Sequence, residues 1–220
     1  MVDAAAVAAS LISCFDLSRF RAEPFRYWLL EDILPADVCV GIDAIPVAPP
    51  EIGDTRGKRE THNSSRLFFG AENRARYSVC DALGAGFQSL GVVERIELLG
   101  DVKLRESFLR IEYCLDTDGF WLAPHTDIGV KKFTCLISLA DDDSQSSLGT
   151  DIYNVDNRLY KRAPFHRNGA LMFVPSHESL HGFAPRPIRG RRKSIILNYV
   201  GPEWRSKDQL AFPDAPISLL

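Results

Sequence analysis

Apolar and polar positions in the second half of the chain form short strand-like segments separated by polar turns. From Phe108 onward these segments are rich in β-branched and aromatic residues, and turns such as DDDSQSSLG and HRNG separate several of them. Many short strands with regular turns are typical of a β-sandwich or a jelly roll. The predicted strands are FLRIEYCL, FWLAPHTD, KFTCLISLA, TDIYNV, LYKRAPF, ALMFVP, HGFAP and KSIILNYV.

The first half of the chain has a different pattern, which is mixed and largely helical. Residues 73–90 carry apolar residues at helical spacing, and Pro35-Ala36-Asp37 is typical of a helix start. Phe25 to Leu30 is a plausible strand, and the N-terminal MVDAAAVAASLISCF is interpreted as a short helix or a frayed end. Helices before strands predict an α+β domain that is mainly β.

The length of 220 residues fits a single domain that can bury a sizeable core. We place the boundary between its two parts near residue 105. An N-terminal helical buttress is expected over about 1–105, and a strand-rich core is expected over about 106–201.

Charge, apolar runs and cysteine content indicate which partners and which cellular compartment to expect. The formal net charge of -3 gives no general reason to expect nucleic-acid or membrane partners. No apolar run reaches ~18 residues, and Asp3 lies where a signal peptide would carry a basic residue. The cysteines are odd in number and lack a CxxC pair, which favours a reducing compartment, so we expect a cytoplasmic protein. They are Cys14, Cys39, Cys80, Cys114 and Cys135.

The segment His125-Thr126-Asp127 is the most informative motif in the sequence. On a strand, residues i and i+2 point to the same face, so His125 and Asp127 can direct an imidazole and a carboxylate to one point. His181, in a later predicted strand, would complete a face of two histidines and one carboxylate. That face leaves open positions on a metal and is typical of non-haem Fe(II) oxygenases. No cysteine lies near these positions, which disfavours structural zinc.

A second histidine competes with His181 for the third ligand position. His177 lies in the polar turn PSHES, whereas His181 opens an alternating run and is followed by glycine, which leaves space near a metal. We therefore favour His181. His62 and His166 fall in loop-like segments and are interpreted as solvated side chains, although both could line a substrate mouth.

The strand that follows His181 offers an anion site. An oxygenase that uses a keto-acid cosubstrate needs a buried cation near the metal, and the arginine fork suits a carboxylate. Arg192 and Ser194 share one face of the predicted strand, and a buried arginine there requires an anion. The adjacent Arg191 remains an alternative carboxylate partner, since a shift of one residue exchanges the faces of the strand.

Taken together, these motifs resemble the Fe(II)/2-oxoglutarate-dependent dioxygenase superfamily, and most closely its prolyl-hydroxylase-like branch. The likeness covers roughly Phe108 to Gly201 and rests on HTD at 125–127, HGF at 181–183 and RKS at 192–194. Upstream, Tyr113 resembles the family tyrosine that hydrogen-bonds the cosubstrate. The resemblance implies a double-stranded β-helix, which is a distorted jelly roll.

The resemblance also implies a reaction. Fe(II) would be bound by the two histidines and Asp127, and 2-oxoglutarate would be anchored by Arg192 with Ser194 and Tyr113. The reaction consumes O2, releases succinate and CO2, and oxidises an unidentified small-molecule or protein side-chain substrate. Asp127 is present where the related halogenases have a small residue, so hydroxylation is favoured.

Two features leave alternatives open. The basic loop from Arg56 to Arg66 is either a solvated loop or a lid that covers the metal mouth and contacts an acidic or phosphorylated substrate. A cupin-like isomerase or metal-binding protein would use the same ligands without 2-oxoglutarate, and a catalytically idle scaffold would retain only the fold. The sequence does not determine the oligomeric state.

Overall fold

Helices dominate the first half of the chain in the computed structural model, which describes residues 2–59, 66–127 and 129–218. The long predicted helix over 73–90 is two helices, because Tyr77 adopts an extended conformation between them. A further helix follows that was not predicted, and its apolar face is built from β-branched residues with low helix propensity. The helices are α1 Ala4–Asp16, α2 Ala36–Asp43, α3 Ala71–Arg76, α4 Ser78–Gln88 and α5 Leu90–Gly100.

Each segment of the second half that was predicted as a strand contains one. These strands are β4 Phe108–Asp116, β5 Leu122–His125, β6 Lys131–Ser138, β7 Asp151–Tyr153, β8 Leu159–Arg162, β9 Gly169–Phe173, β10 His181–Phe183 and β11 Arg192–Val200. Three more strands come from the first half: β1 Arg19–Arg21, β2 Tyr27–Leu30 and β3 Arg66–Phe68. The N-terminal part is therefore more than a helical buttress, since it adds strands to the sheet.

Two antiparallel sheets organise the strands. The larger has seven strands in the order β1-β2-β9-β6-β11-β4-β3, and the smaller has four in the order β5-β10-β7-β8. Strand β11 lies between β4 and β6, with Ser194 opposite Cys114 on one side and Ser138 on the other. Both long neighbours therefore fix the register of β11.

The two faces of the large sheet differ in chemistry. One face carries residues such as Leu197, Ile111 and Cys135, which join the main hydrophobic core with the helices. Helices α1 and α4 pack closely there, and a Cβ at Gly86 would lie 2.5 Å from Val7 Cγ1. The other face meets the small sheet and buries polar side chains such as Glu112. The candidate site lies on this second, polar face, which we call the inner face of the large sheet.

Across the described residues, no helix combines the length and apolar character needed to span a bilayer. All five cysteines are free and buried.

Candidate metal and anion site

Paired strands of the small sheet bring the predicted metal ligands together. His125 ends β5, His181 begins β10, and the two residues are directly opposite in the antiparallel pair. Asp127 follows two residues after His125. Glycine is required beside His181, because a Cβ at Gly182 would lie 2.7 Å from the Leu122 carbonyl oxygen. The glycine therefore permits close approach of β10 to β5, rather than leaving space for a metal.

The three side chains converge on one point. One donor atom from each of His125, Asp127 and His181 lies within 4.8 Å of the others. Asp127 Oδ1 is 3.7 Å from His125 Nε2, and Asp127 Oδ2 is 3.8 Å from His181 Nε2. Asp127 and His181 are buried, whereas the His125 side chain is 37% exposed. The three side chains are thus shielded from solvent at Asp127 and His181 and accessible to solvent at His125.

Both imidazoles are oriented by backbone carbonyls. His125 Nδ1 lies 3.0 Å from the Ala123 carbonyl oxygen, and His181 Nδ1 lies 3.0 Å from that of Ser179. Donation from each Nδ1–H leaves the Nε2 lone pair directed at the shared point, as in metal-binding histidines. Burial lowers the pKa of His181 to about 4, despite the opposing effect of Asp127. His181 is therefore neutral and able to bind a metal at physiological pH.

The Asp127 carboxylate is held in place by the large sheet. Thr134 Oγ1 donates to Asp127 Oδ2 at 2.9 Å, and Asn198 Nδ2 donates to Thr134 Oγ1 at 2.9 Å. Lys131 Nζ lies 2.7 Å from Asp127 Oδ1. Burial alone would raise the pKa of Asp127, but Lys131 and His181 outweigh it and lower the pKa to about 2. The donor set of two imidazoles and an ionised carboxylate fits a divalent transition metal.

A cavity of about 480 Å³ opens onto these ligands between the two sheets. Arg192 and Ser194 line the same cavity, so the predicted anion-binding residues lie beside the metal ligands. Arg191 is exposed, whereas Arg192 is buried. The pairing of β11 with β4 and β6 thus turns Arg192, and not Arg191, into the cavity.

The cavity wall at Arg192 holds buried charge. Arg192 Nη1 donates to Asp116 Oδ2 at 2.6 Å, and Arg192 Nε donates to the Leu148 carbonyl oxygen at 2.8 Å. Burial lowers the pKa of Arg192, and Asp116 opposes that effect. The Ser194 hydroxyl is also buried, and it has no hydrogen-bond partner among the described residues. A buried hydroxyl without a partner indicates a place for a polar ligand.

Tyr113 does not join this site. It lies on β4 between the inward-facing Glu112 and Cys114, so its side chain points to the opposite face of the sheet. There it is part of the hydrophobic core between the large sheet and the helices. The family resemblance assigned Tyr113 to the cosubstrate, and strand alternation places it away from the cavity instead.

The other histidines lie outside the site. His177 is exposed, in agreement with the choice of His181. His166 is partly buried and packs over Gly169, and its Nε2 has no hydrogen-bond partner among the described residues. It is therefore more enclosed than predicted. His62 lies outside the described residues.

The basic loop reaches the cavity through its first residues. Gly57, Lys58 and Arg59 line the cavity, and Arg59 Nη1 donates to Asp116 Oδ1 at 2.9 Å. The Gly57 carbonyl oxygen accepts from the Ala123 backbone amide at 3.1 Å, which attaches this segment to β5. The Arg59 side chain is therefore largely enclosed, with 12% of it exposed, rather than solvated. Residues 60–65 of the predicted lid lie outside the described residues.

Several residues that shape the site were missed by sequence reasoning, among them Lys131, Thr134 and Asp116. For Asp116 the signal was present in β4, where Arg110, Glu112, Cys114 and Asp116 alternate with apolar residues. A strand with polar residues at every second position and apolar residues between them predicts one polar buried face. Arg59 was predicted only as part of the basic loop, and its contact with Asp116 was not.

Comparison with known proteins places this arrangement in a structural class. No protein-family model and no curated protein matches the chain in sequence. Solved structures match it in fold. A prolyl hydroxylase from Trichoplax adhaerens, in complex with a hypoxia inducible factor oxygen degradation domain peptide fragment, aligns with a TM-score of 0.57. The identity is 13%, over 90% of this chain and 88% of that chain.

Two bacterial structures give similar values. A Pseudomonas putida prolyl-4-hydroxylase aligns with a TM-score of 0.55 and 15% identity, over 90% of this chain and 93% of that chain. HygX from Streptomyces hygroscopicus, with nickel and 2-oxoglutarate bound, aligns with a TM-score of 0.54 and 11% identity, over 88% and 90%. The chain therefore shares the fold of prolyl hydroxylases and other Fe(II)/2-oxoglutarate-dependent oxygenases, as its motifs predicted.

Proposed function

We propose that the chain is an Fe(II)/2-oxoglutarate-dependent dioxygenase that hydroxylates a small-molecule or protein side-chain substrate. The observation that carries this proposal is the convergence of His125, Asp127 and His181 on a cavity that also contains a buried arginine and an unpartnered buried hydroxyl. We further propose that the two sheets form the double-stranded β-helix of this class, within a single domain over residues 1–220.

The three ligands would hold Fe(II) at one face and leave the opposite face open to the cavity. When bound, the iron and 2-oxoglutarate supply the oxidising chemistry, which consumes O2 and releases succinate and CO2. The protein's own residues orient the metal ligands. The Ala123 and Ser179 carbonyls fix the imidazoles, and Thr134 fixes the Asp127 carboxylate.

Arg192 and Ser194 would hold the distal carboxylate of 2-oxoglutarate. The guanidinium and the hydroxyl are adjacent on the inner face of β11 and both line the cavity. A charge-assisted contact in a buried site is stronger than a neutral hydrogen bond. HygX, a protein of the same fold, has nickel and 2-oxoglutarate bound, which supports a 2-oxoglutarate site in this chain.

The second candidate is a cupin-like isomerase or metal-binding protein that does not use 2-oxoglutarate. It would need the metal ligands but neither Arg192 nor the Ser194 hydroxyl in the cavity. The burial of both residues beside the metal ligands therefore favours the oxygenase.

For cellular context, we propose a cytoplasmic enzyme, since its five cysteines are free and buried. We expect a small molecule or a protein side chain, together with O2, as its reaction partners, and neither nucleic acid nor membrane.

The test is the release of succinate from 2-oxoglutarate by Fe(II)-loaded protein, with and without candidate substrates. Product formation is scored by mass spectrometry as a gain of one oxygen atom. Iron-dependent succinate release is expected in wild type and not in Asp127→Ala. Metal binding without any 2-oxoglutarate turnover, even with substrate mixtures, would favour the second candidate.

A further inference from the structure

A buried aspartate joins two arginines that line the cavity. Asp116 is fully buried. Its Oδ1 accepts from Arg59 Nη1 at 2.9 Å, and its Oδ2 accepts from Arg192 Nη1 at 2.6 Å and from Arg59 Nη2 at 3.4 Å. Arg192 comes from β11, whereas Arg59 comes from the loop that precedes β3. Two distant parts of the chain therefore place guanidinium groups at one carboxylate.

This group of three side chains carries a net positive charge. Two guanidiniums share one carboxylate, so one positive charge is left over. The neighbouring Glu112 does not offset it, because Glu112 bridges Arg110 at 2.9 Å and Arg66 at 2.5 Å. An excess charge in a buried site is unfavourable unless an anion accompanies it.

Both guanidiniums are fixed at the cavity wall. Arg59 lies over the Phe120 ring at 4.5 Å, and Arg192 lies over the Phe183 ring at 4.8 Å. The two rings contact each other with centroids 5.5 Å apart. Stacking on aromatic faces holds the planar groups in place without satisfying their remaining donors.

We infer that Arg59 is a second binding residue for the distal carboxylate of 2-oxoglutarate, and that Asp116 is a positioning residue for the arginine pair. The inference rests on the proposed function. Arg59, Arg192 and the unpartnered Ser194 hydroxyl all line the same cavity. The basic loop thus contributes to cosubstrate binding, and not only to contacts with the substrate.

The charge balance predicts how variants of Arg59 and Asp116 bind 2-oxoglutarate. Without Arg59, Asp116 neutralises Arg192, and the group loses the excess positive charge that a carboxylate would balance. Arg59→Ala should therefore weaken 2-oxoglutarate binding by roughly ten- to hundredfold, as expected for loss of one charge-assisted contact. Removing the competing carboxylate as well, in Arg59→Ala/Asp116→Asn, restores the excess charge and should recover about tenfold or more of the lost affinity.

The test is calorimetric titration of Mn(II)-loaded protein with 2-oxoglutarate and, separately, with 2-oxobutyrate. The second acid has the same chelating keto-acid group but lacks the distal carboxylate. Arg59→Ala and Arg192→Ala should weaken 2-oxoglutarate binding and leave 2-oxobutyrate binding unchanged. Arg56→Ala is the matched control, because Arg56 is exposed in the same loop, and it should bind both acids as wild type does.

Stoichiometric Mn(II) binding is measured in every variant to confirm an intact site. Arg59→Lys, which keeps the charge but loses the planar fork, provides a second measurement and should bind 2-oxoglutarate with an affinity between those of Arg59→Ala and wild type. Arg59→Ala with wild-type affinity, alongside a weakened Arg192→Ala, would overturn the role of Arg59 and leave the proposed function standing. A loss in Arg59→Ala that neither the lysine nor the double variant reduces would also overturn it. If wild type binds the two acids equally, the proposed function itself fails.

Discussion

The orientation of a histidine ring decides whether it can bind a metal. His125 and His181 each direct Nδ1 at a carbonyl two residues earlier in the chain, at 3.0 Å in both cases. The same local geometry thus exposes both Nε2 atoms to the shared point. His177 has no such role, since it is exposed in the turn that precedes β10.

His181→Ala should reduce Mn(II) or Ni(II) affinity by more than about a hundredfold, because one of three protein ligands is lost. His125→Ala should do the same. The measurement is calorimetric metal titration, with circular dichroism to check folding. His177→Ala is the control and should bind metal as wild type does. Stoichiometric binding in His181→Ala, with loss in His177→Ala, would show that the third ligand had been assigned to the wrong histidine.

At the scale of the element, strand alternation explains most of what could be predicted. The two-residue period of a strand predicted that Arg192 and Ser194 share a face of β11, and the structure places them so. The same rule, applied to β4, would have excluded Tyr113 from the cavity. The pairing of Arg59 with Asp116 could not be predicted, because the loop and the strand meet only through tertiary structure.

The buried row of polar residues on β4 makes stability depend on pH. Burial alone would raise the pKa of Glu112, but the guanidiniums of Arg110 and Arg66 outweigh it and lower the pKa to about 2. A carboxylate with a lowered folded-state pKa stabilises the protein above its unfolded pKa of about 4.5. That contribution is lost as the pH falls from about 4.5 to about 2.

Glu112→Gln should therefore be less stable than wild type at pH 7, and the difference should shrink as the pH falls through this range. The full contribution is about 3 kcal/mol, on the order of 1.4 kcal/mol for each unit of pKa difference. Urea unfolding at pH 7, 4 and 3 measures it. Glu72→Gln, at an exposed position of α3, is the control and should leave the slope unchanged. A constant difference between Glu112→Gln and wild type at all three values would contradict the assignment.

The proposed metal site also depends on the close pairing of β10 with β5. A Cβ at Gly182 would meet the Leu122 carbonyl oxygen at 2.7 Å, so the strands must separate to accept it. Gly182→Ala should lower stability by about 1–3 kcal/mol and weaken Mn(II) binding, because His125 and His181 move apart. Gly53→Ala is the control, since no described atom lies within 4 Å of a Cβ there. Unchanged metal affinity in Gly182→Ala would show that the strand spacing does not set the ligand geometry.

At the scale of the whole molecule, the large sheet separates two environments. Its outer face and the helices form an apolar core, and its inner face and the small sheet enclose the polar cavity. The order of strands in the small sheet brings together residues 56 positions apart in sequence, His125 and His181. The HxD motif and the later histidine predicted that these two residues lie close together. Only the family resemblance predicted the particular fold that brings them together.

Ligands held between the two sheets should stabilise the molecule as a whole, since they bind only the folded state. At a hundred times the dissociation constant the gain is about 2.7 kcal/mol, which corresponds to a rise of roughly 5–10 °C in Tm for a chain of this size. Mn(II) alone should raise Tm, and Mn(II) with 2-oxoglutarate should raise it further, in anaerobic thermal unfolding. Asp127→Ala should show neither rise, because in the proposed site 2-oxoglutarate binds through the metal as well as through Arg192. If 2-oxoglutarate raises the Tm of Asp127→Ala as much as that of wild type, its binding does not depend on the metal. That result would indicate an independent anion site at the arginine pair.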